Sequence, residues 1–427
     1  MKIAAVDLNF EREALSAPFG FKGGYLSELW QTVAKVQTAS GISGVGTGVQ
    51  SVLWSDPRVF IANSESAGNA FMFAVTAEAL KILQGQLISS VDQILQMLPE
   101  LIGYACRVTG YSDLKTTFAL NALVPVDNAL HLAFAMEQGI SSFDALVPTR
   151  CRAALSSRNE RLASVPTVGY GLSVEAVSQL VDGGSYILKI KIGSDPQKDG
   201  NQDSMLEWDK KRITDIHRAV GNRSAGPGNS EQIRYYLDAN QRYESLSRII
   251  QLVDHIDSIG ALGQTILLEE PFPEDVKESV VQIPITVVAD ESAHTDVDAA
   301  ERIDLGYGAI ALKPVAKTLS MTFKIAEVAH QRGVSCFCAD LTVNPLLLEW
   351  NRSIAARCRP LPGLTCGLLE NNGVQNYRNW DRLISYHPRS DASWIVANEG
   401  EFRLDDEFFS TGGGLFMAAE HYQSLVR

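Results

Sequence analysis

Five short charged clusters carry the residue types from which chemistry could be built: Lys189-Ile190-Lys191, Asp238-Ala239-Asn240, Glu269-Glu270-Pro271, Asp290-Glu291-Ser292 and Lys313-Pro314. Each follows an Ile/Leu/Val-rich stretch, as a residue leaving a buried parallel strand would. Three acid clusters between two lysine clusters describe a divalent cation with a basic group on either side. Carboxylates gathered in a partly dry cleft raise one another's pKa, and a hard cation removes that penalty. Mg²⁺ suits such a small set of oxygen ligands, with Mn²⁺ as the alternative. Asp238, Glu269 and Asp290 are the expected ligands. The cation would grip a substrate carboxylate and hold the enediolate that forms when the α-proton leaves. Lysine at its free pKa of ~10.4 is a poor base, and positive neighbours are the usual means of bringing an amine into the working range. Lys191 is the expected base with Lys189 beside it, and Lys313, from the other side, could return a proton to the opposite face.

Such residues converge only if the elements carrying them do. The pattern predicts short strands at 167–170, 186–192, 235–238, 266–269, 285–290, 309–313, 334–339 and 364–369, with helices between most of them. Eight strands joined in this way suggest a closed parallel barrel, whose strand ends share one mouth. An open doubly wound sheet is the alternative, but no G-x-G-x-x-G follows an early strand. Period-two alternation puts Lys189 and Lys191 on one face of their strand. Before the barrel, the chain reads as an α+β domain. An opening strand leads to a Gly- and Phe-containing segment (18–25) and a hairpin through 32–50, and helices follow at about 67–85, 91–105 and 118–138. The expected division is 1–160, 161–370 and a tail, 371–427, that packs back on the first domain.

Composition bounds the rest. With 427 residues, 45% hydrophobic and 20% charged, the chain can form a sizeable core. No apolar run of membrane-spanning length and no signal-type stretch stands out, so the expected setting is the cytoplasm, without a membrane partner. A net charge of −13 argues against nucleic acid. The six cysteines lack framework spacing and read as reduced structural thiols, including Cys336 and Cys338 on one predicted strand.

Taken together, Leu188-Lys189-Ile190-Lys191-Ile192-Gly193, Leu237-Asp238-Ala239-Asn240, Leu268-Glu269-Glu270-Pro271-Phe272, Ala289-Asp290-Glu291-Ser292 and Ala311-Leu312-Lys313-Pro314 resemble the enolase superfamily. The likeness is to its muconate-lactonizing subgroup, with dipeptide epimerases, o-succinylbenzoate synthases and mandelate racemase-like proteins. The resemblance implies a modified (β/α)8-type TIM barrel, (β/α)7β, within the α/β class, under an α+β N-terminal capping domain that closes the mouth. It implies Asp238, Glu269 and Asp290 as Mg²⁺ ligands, Lys191 and Lys313 as the acid/base pair with Lys189 supporting, and a homo-oligomer. It also places 19–25, with Phe21 and Lys22, near a mobile loop that could touch substrate. Three departures bear on specificity. The eighth strand ends Leu369-Glu370-Asn371-Asn372, without the Asp-x-Asp that dipeptide epimerases use for a substrate amino group. Lys313-Pro314 lacks a following Gly-Gly, and Gly44-Val45-Gly46-Thr47-Gly48 stands where a glycine-acid turn is usual.

Other residues have less decided parts. Glu270 and Glu291, pointing opposite to Glu269 and Asp290, read as supporting or salt-bridging groups, and Asn240 as an indirect support of the metal site. Asp340 reads as a helix cap or a substrate contact, and Glu370 as a pocket-lining group. His294 is the histidine nearest to a strand-end position. The reaction expected is α-proton abstraction from a small carboxylate substrate, first as racemisation or epimerisation of an amino-acid or dipeptide-like acid. β-Elimination, as in an acid-sugar dehydratase or an o-succinylbenzoate synthase, and cycloisomerisation share the same half-reaction. A non-catalytic metal-binding barrel is the rival of another class.

Overall fold

The computed structural model describes residues 1–21 and 24–426, which leaves Lys22 and the Phe21 side chain outside the described residues. The chain opens with three antiparallel strands, β1 (Ile3–Phe21), β2 (Gly24–Thr38) and β3 (Ser43–Gln50). The segment read as a loop is instead the end of a long hairpin, with Phe19 opposite Leu26 and Phe21 opposite Gly24. Helix Thr116–Glu137 lies across this sheet at unusually close range. A Cβ at Gly44 would stand 2.1 Å from the Ala129 carbonyl oxygen, and one at Gly46 would stand 2.2 Å from that of Pro125. The glycine run of β3 is therefore a saddle for the helix. Asn121 and Asn128 fasten it by donating from Nδ2 to the Val49 and Thr47 carbonyls, each at 3.0 Å. Covered by the sheet on one side and by other helices and the barrel elsewhere, the helix is apolar nearly all round. By length and composition alone, with a mean hydropathy of 1.3, it could cross a membrane, which corrects the expectation that no stretch is long enough. With 94% of its apolar window buried, it reads as a core helix.

The barrel strands are β4 (Arg161–Val165), β5 (Thr167–Val168), β6 (Ile187–Lys191), β7 (Arg234–Asp238), β8 (Thr265–Glu269), β9 (Thr286–Ala289), β10 (Ala309–Leu312), β11 (Ser335–Cys338) and β12 (Gly367–Glu370). From β5 and β6 through β12 the pairings are parallel. β4 and β5 are two halves of one strand interrupted at Pro166, which has no N–H to give a ladder. β4 pairs with β12 and β5 with β6, so the ring closes across the proline. Lys189 N donates to the Pro166 carbonyl at 3.1 Å at that junction. Helices follow the strands as expected, except between β8 and β9, where 270–285 is non-helical.

The two domains are fastened by polar contacts as well as apolar ones. Asp127, on the long helix, accepts from Leu319 N at 2.8 Å and Ser320 N at 3.1 Å, and so caps helix Leu319–Gln331 of the barrel. The tail returns to the first domain through Gln31 to Tyr377 at 2.7 Å, Glu13 with Arg382 at 2.6 Å and Asn9 to the Leu425 carbonyl at 2.8 Å. It also adds a strand that sequence patterning did not suggest, β13 (Glu401–Arg403), antiparallel to β4. All six cysteines are free.

Candidate active site

The strand ends open into a cavity between barrel and capping domain. Lys189, Lys191, Asp238, Asn240, Glu269, Asp290, Glu291, Lys313, Asp340 and Glu370 all line it, so every strand-end cluster reaches one space. The lysines are bound to acids. Lys189 Nζ lies 3.0 Å from Asp238, 2.8 Å from Glu269 and 3.0 Å from Glu370, and 4.8 Å from the centre of the Tyr236 ring. Lys191 Nζ donates to Asp238 Oδ2 at 2.5 Å and to Asn240 Oδ1 at 2.8 Å. Lys313 pairs with Asp290. β6 and β10, the second and sixth of eight staves, place Lys191 and Lys313 across the mouth from each other.

Charge in this space is set by burial against partners. Burial would lower Lys189, but Asp238, Glu269 and Glu370 outweigh it and hold the amine well above its ordinary range. The same contest, with Asp290 and Glu291 as partners, raises Lys313. These two amines thus stand higher than a base near another positive charge would need. Asp238 is driven the other way: burial opposes ionisation, yet Lys189 and Lys191 bring it to about 2. Glu269 rises to about 8, because burial and the nearby Asp290 and Glu291 outweigh Lys189.

The acids divide differently from the expected trio. Glu269, Asp290 and Glu291 each offer an oxygen within 4.8 Å of the others, the arrangement a metal ion could use. Asp238 does not join them: Oδ2 is taken by the two lysines, and Oδ1 accepts from Asn240 N at 3.0 Å. Glu291, expected to point away, belongs to the trio instead. The strand stops at Ala289, so period-two alternation no longer applies. The next turn is organised by Glu270, itself in a left-handed conformation at φ +42°. Its Oε1 accepts from Asp290 N at 2.6 Å, Ser292 N at 2.8 Å and Ser292 Oγ at 2.8 Å, which presents both Asp290 and Glu291 to the cavity. Asn240 ties the halves together, donating to Glu291 Oε1 at 3.0 Å. The residues present fit a hard cation: three clustered carboxylates include Glu269 Oε1, which is buried and has no hydrogen-bonding partner.

On the far wall, Asp340 Oδ2 accepts from Asn372 N at 2.9 Å, and Asp340 N donates to Glu370 at 3.1 Å. Asp340 is not a helix cap; Asn344 caps Pro345–Ala355. Burial and Glu370 raise Asp340 to about 7. His294 is away from the cavity lining and pairs with Glu274 at 2.5 Å. Sequence reasoning missed several groups. Trp54, from the short helix Val52–Ser55, sets its ring 4.7 Å from Lys313 Nζ, and Leu26 and Ser51 complete the capping side beside Phe19, which lies in the segment expected near the substrate. Lys317 is fully buried and donates to the Asp290 carbonyl at 2.6 Å. Tyr236 donates to Glu269. Lys317, four residues after Lys313 at the start of a short helix, carried the one usable signal, since i and i+4 share a helix face.

Residues 173–362 match the model of the enolase C-terminal domain-like family. The chain is 24% identical over 371 residues to the hydrophobic dipeptide epimerase of Citrifermentans bemidjiense, covering 83% of this chain and 84% of that protein. Among solved structures, it superposes on a mandelate racemase/muconate lactonizing enzyme from Roseiflexus sp. with a TM-score of 0.68, at 17% identity, covering 96% of each chain. The L-Ala-D/L-Glu epimerase of Bacillus subtilis, in a substrate-liganded complex, gives 0.67 at 17% identity, over 95% of this chain and 97% of that one. A dipeptide epimerase from Cytophaga hutchinsonii, complexed with Mg and D-Ala-L-Val, gives 0.62 at 18% identity, over 88% of each. At these identities the structural likenesses establish the shared fold.

Proposed function

We propose that this chain is an isomerase of the enolase superfamily that racemises or epimerises an amino-acid or dipeptide-like carboxylate, a reading supported by the match of residues 173–362 to the enolase C-terminal domain-like family and by the likeness to a hydrophobic dipeptide epimerase. The observation that carries this reading is the placement of Lys191 and Lys313 on opposed staves of one cavity whose floor is a carboxylate cluster. Glu269, Asp290 and Glu291 would hold Mg²⁺, with Asp238 close by. When bound, the cation supplies positive charge that offsets a substrate carboxylate and the charge that develops as the α-proton leaves.

The side chains divide the remaining work. Lys191 is the least buried of the three amines, 14% exposed, and its Nζ is aimed by Asp238 and Asn240; it takes the α-proton. Lys313 is held in its protonated form by Asp290 and Glu291, so it is ready to deliver a proton to the opposite face. Lys189 has three carboxylate partners and is a fixed positive charge among the acids, not a proton carrier. Trp54 lies against Lys313 and, with Phe19 and Leu26, excludes water from the reacting side.

The test is exchange of substrate α-hydrogen in heavy water containing Mg²⁺, across dipeptides, N-acyl amino acids and sugar acids. Exchange with inversion is expected for members of the first two groups. A new double bond would move the reading to elimination. No exchange with any acid, in a protein that binds Mg²⁺, would leave a metal-binding barrel and end the proposal.

A further inference from the structure

We infer that Asp209 is a positioning residue for the proton transfer: from behind the cavity wall it fixes the turn that leaves β6, and so aims Lys191. The inference rests on the α-proton reading above and deepens it. Helix Gln202–Val220 turns Met205, Leu206, Asp209, Ile213, Ile216 and Val220 inward, and Asp209 is the one acid on that buried face. A fully buried carboxylate among apolar side chains is costly unless donors reach it. Here Gly193 N donates to Oδ2 at 2.7 Å and Tyr243 Oη donates to the same oxygen at 2.5 Å, while Oδ1 is left without a partner.

Both donors belong to the turns that present the base. Gly193 stands two residues beyond Lys191 at φ +81°, where a Cβ would lie 2.5 Å from Arg242 Cβ. Its turn is held further by Tyr170 Oη, which donates to the Ile192 carbonyl at 3.0 Å, and by Arg242 Nε, which donates to the Gly193 carbonyl at 3.2 Å. Tyr243 follows the turn after β7, in which Asn240 and Gln241 are left-handed at φ +42° and +66°. Such backbone is costly in non-glycine residues and persists only where its surroundings hold it. Asp209 thus joins the exit turns of two neighbouring strands. The same two turns meet again inside the cavity, where Lys191 Nζ donates to Asn240 Oδ1 at 2.8 Å. Asp209 does not line that cavity, so its effect on the chemistry passes through geometry. A displacement of about 1 Å at a reacting group can cost on the order of 100-fold in rate.

The experiment uses Asp209→Ala, Asp209→Asn and Tyr243→Phe in the full chain loaded with Mg²⁺. Exchange of the substrate α-hydrogen gives kcat and KM, with alanyl-leucine or, if the wild type leaves it untouched, the fastest-exchanging acid of the screen above. Amide hydrogen exchange follows the Gly193 N–H. D209A should lower kcat about 30-fold and leave KM within about threefold, because the cavity wall stays and the aim of the base is lost. Its Gly193 amide should exchange about tenfold faster or more. D209N keeps an oxygen for both donors and should recover kcat to within about threefold of the parent. Y243F, which keeps the Gly193 bond, should lose about fivefold in kcat, and with D209N it carries the comparison if D209A does not fold. An acid that only stabilised the helix would lower Tm and leave kcat per folded molecule unchanged. That result, a KM that rises as kcat falls, D209N as slow as D209A, Y243F at the parent kcat, or a Gly193 amide as protected in D209A as in the parent overturns the inference. A wild type that exchanges no acid at all ends the proton-transfer reading by itself, and the Gly193 amide then still decides whether Asp209 holds the Lys191 turn.

Discussion

Two buried carboxylates, Asp127 between the domains and Glu269 at the barrel mouth, show what an acid inside a protein can be for. Both are fully buried, and burial pushes both above the usual carboxylate range. Asp127 is answered on both oxygens: Leu319 N and Ser320 N donate to Oδ2, and Ser320 Oγ donates to Oδ1 at 2.5 Å. It completes the N-terminus of a helix and holds two domains in register. Glu269 has Lys189 and Tyr236 on Oε2, and Oε1 has no donor; its other neighbours are more acids. A satisfied buried acid stabilises the fold. One left short of partners among its own kind is a place for something the chain does not contain.

Substitution should therefore separate the two regions, one through activity and the other through stability. Lys191→Ala should lower α-hydrogen exchange about 1,000-fold or more while leaving thermal and urea unfolding near the parent. Asp238 keeps Lys189 at 3.0 Å as a partner, so no uncompensated buried charge results. Exchange at the parent rate would remove Lys191 from the base role. The reverse is expected of Asp127→Ala. It leaves two buried backbone amides at the start of Leu319–Gln331 without acceptors, so urea unfolding should show a loss of about 2–4 kcal/mol. Exchange per folded molecule should survive. A variant that keeps its stability but loses exchange would dissolve the distinction between the regions.

How far the sequence could go follows the same division. The barrel was legible because each of its strands repeats one pattern, an apolar run ended by a charge or turn, and eight such runs have few arrangements. The meeting of the clusters followed from that arrangement alone. Glu291 was misjudged because alternation holds only within a strand, and what turns it inward is a left-handed residue and three donors converging on Glu270. Trp54 and Leu26 could not be found, since they reach the cavity from another domain and no local period announces that. The interruption of the strand at Pro166 and the missing helix at 270–285 likewise depend on how the ring closes. The long helix was recognised by one apolar face, but its burial on nearly every side comes from the glycine saddle of β3.

A smaller effect sharpens the contrast further, because an acid that must bind a cation has to shed its proton first. Glu269 lies at about 8 in the metal-free protein, raised by burial and by Asp290 and Glu291, so it is mostly protonated at pH 6. Mg²⁺ binding must displace that proton, and the apparent affinity should climb by up to about tenfold per pH unit as pH rises toward 8, then level off. Calorimetry in buffers of different ionisation enthalpy would count the protons released. The sign for the metal-free fold is opposite. A raised carboxylate contributes stability that is fully present below its unfolded pKa and is lost as pH rises through about 8, so Mg²⁺ should matter most to Tm at the alkaline end. Glu269→Gln removes one titrating group, so its metal-free Tm should fall less steeply than the parent's across that window while Mg²⁺ affinity falls. An affinity that does not change from pH 6 to 8 would mean that the proton on Glu269 is not in the cation's way, and that this buried acid is closer in kind to Asp127 than its lone oxygen suggests.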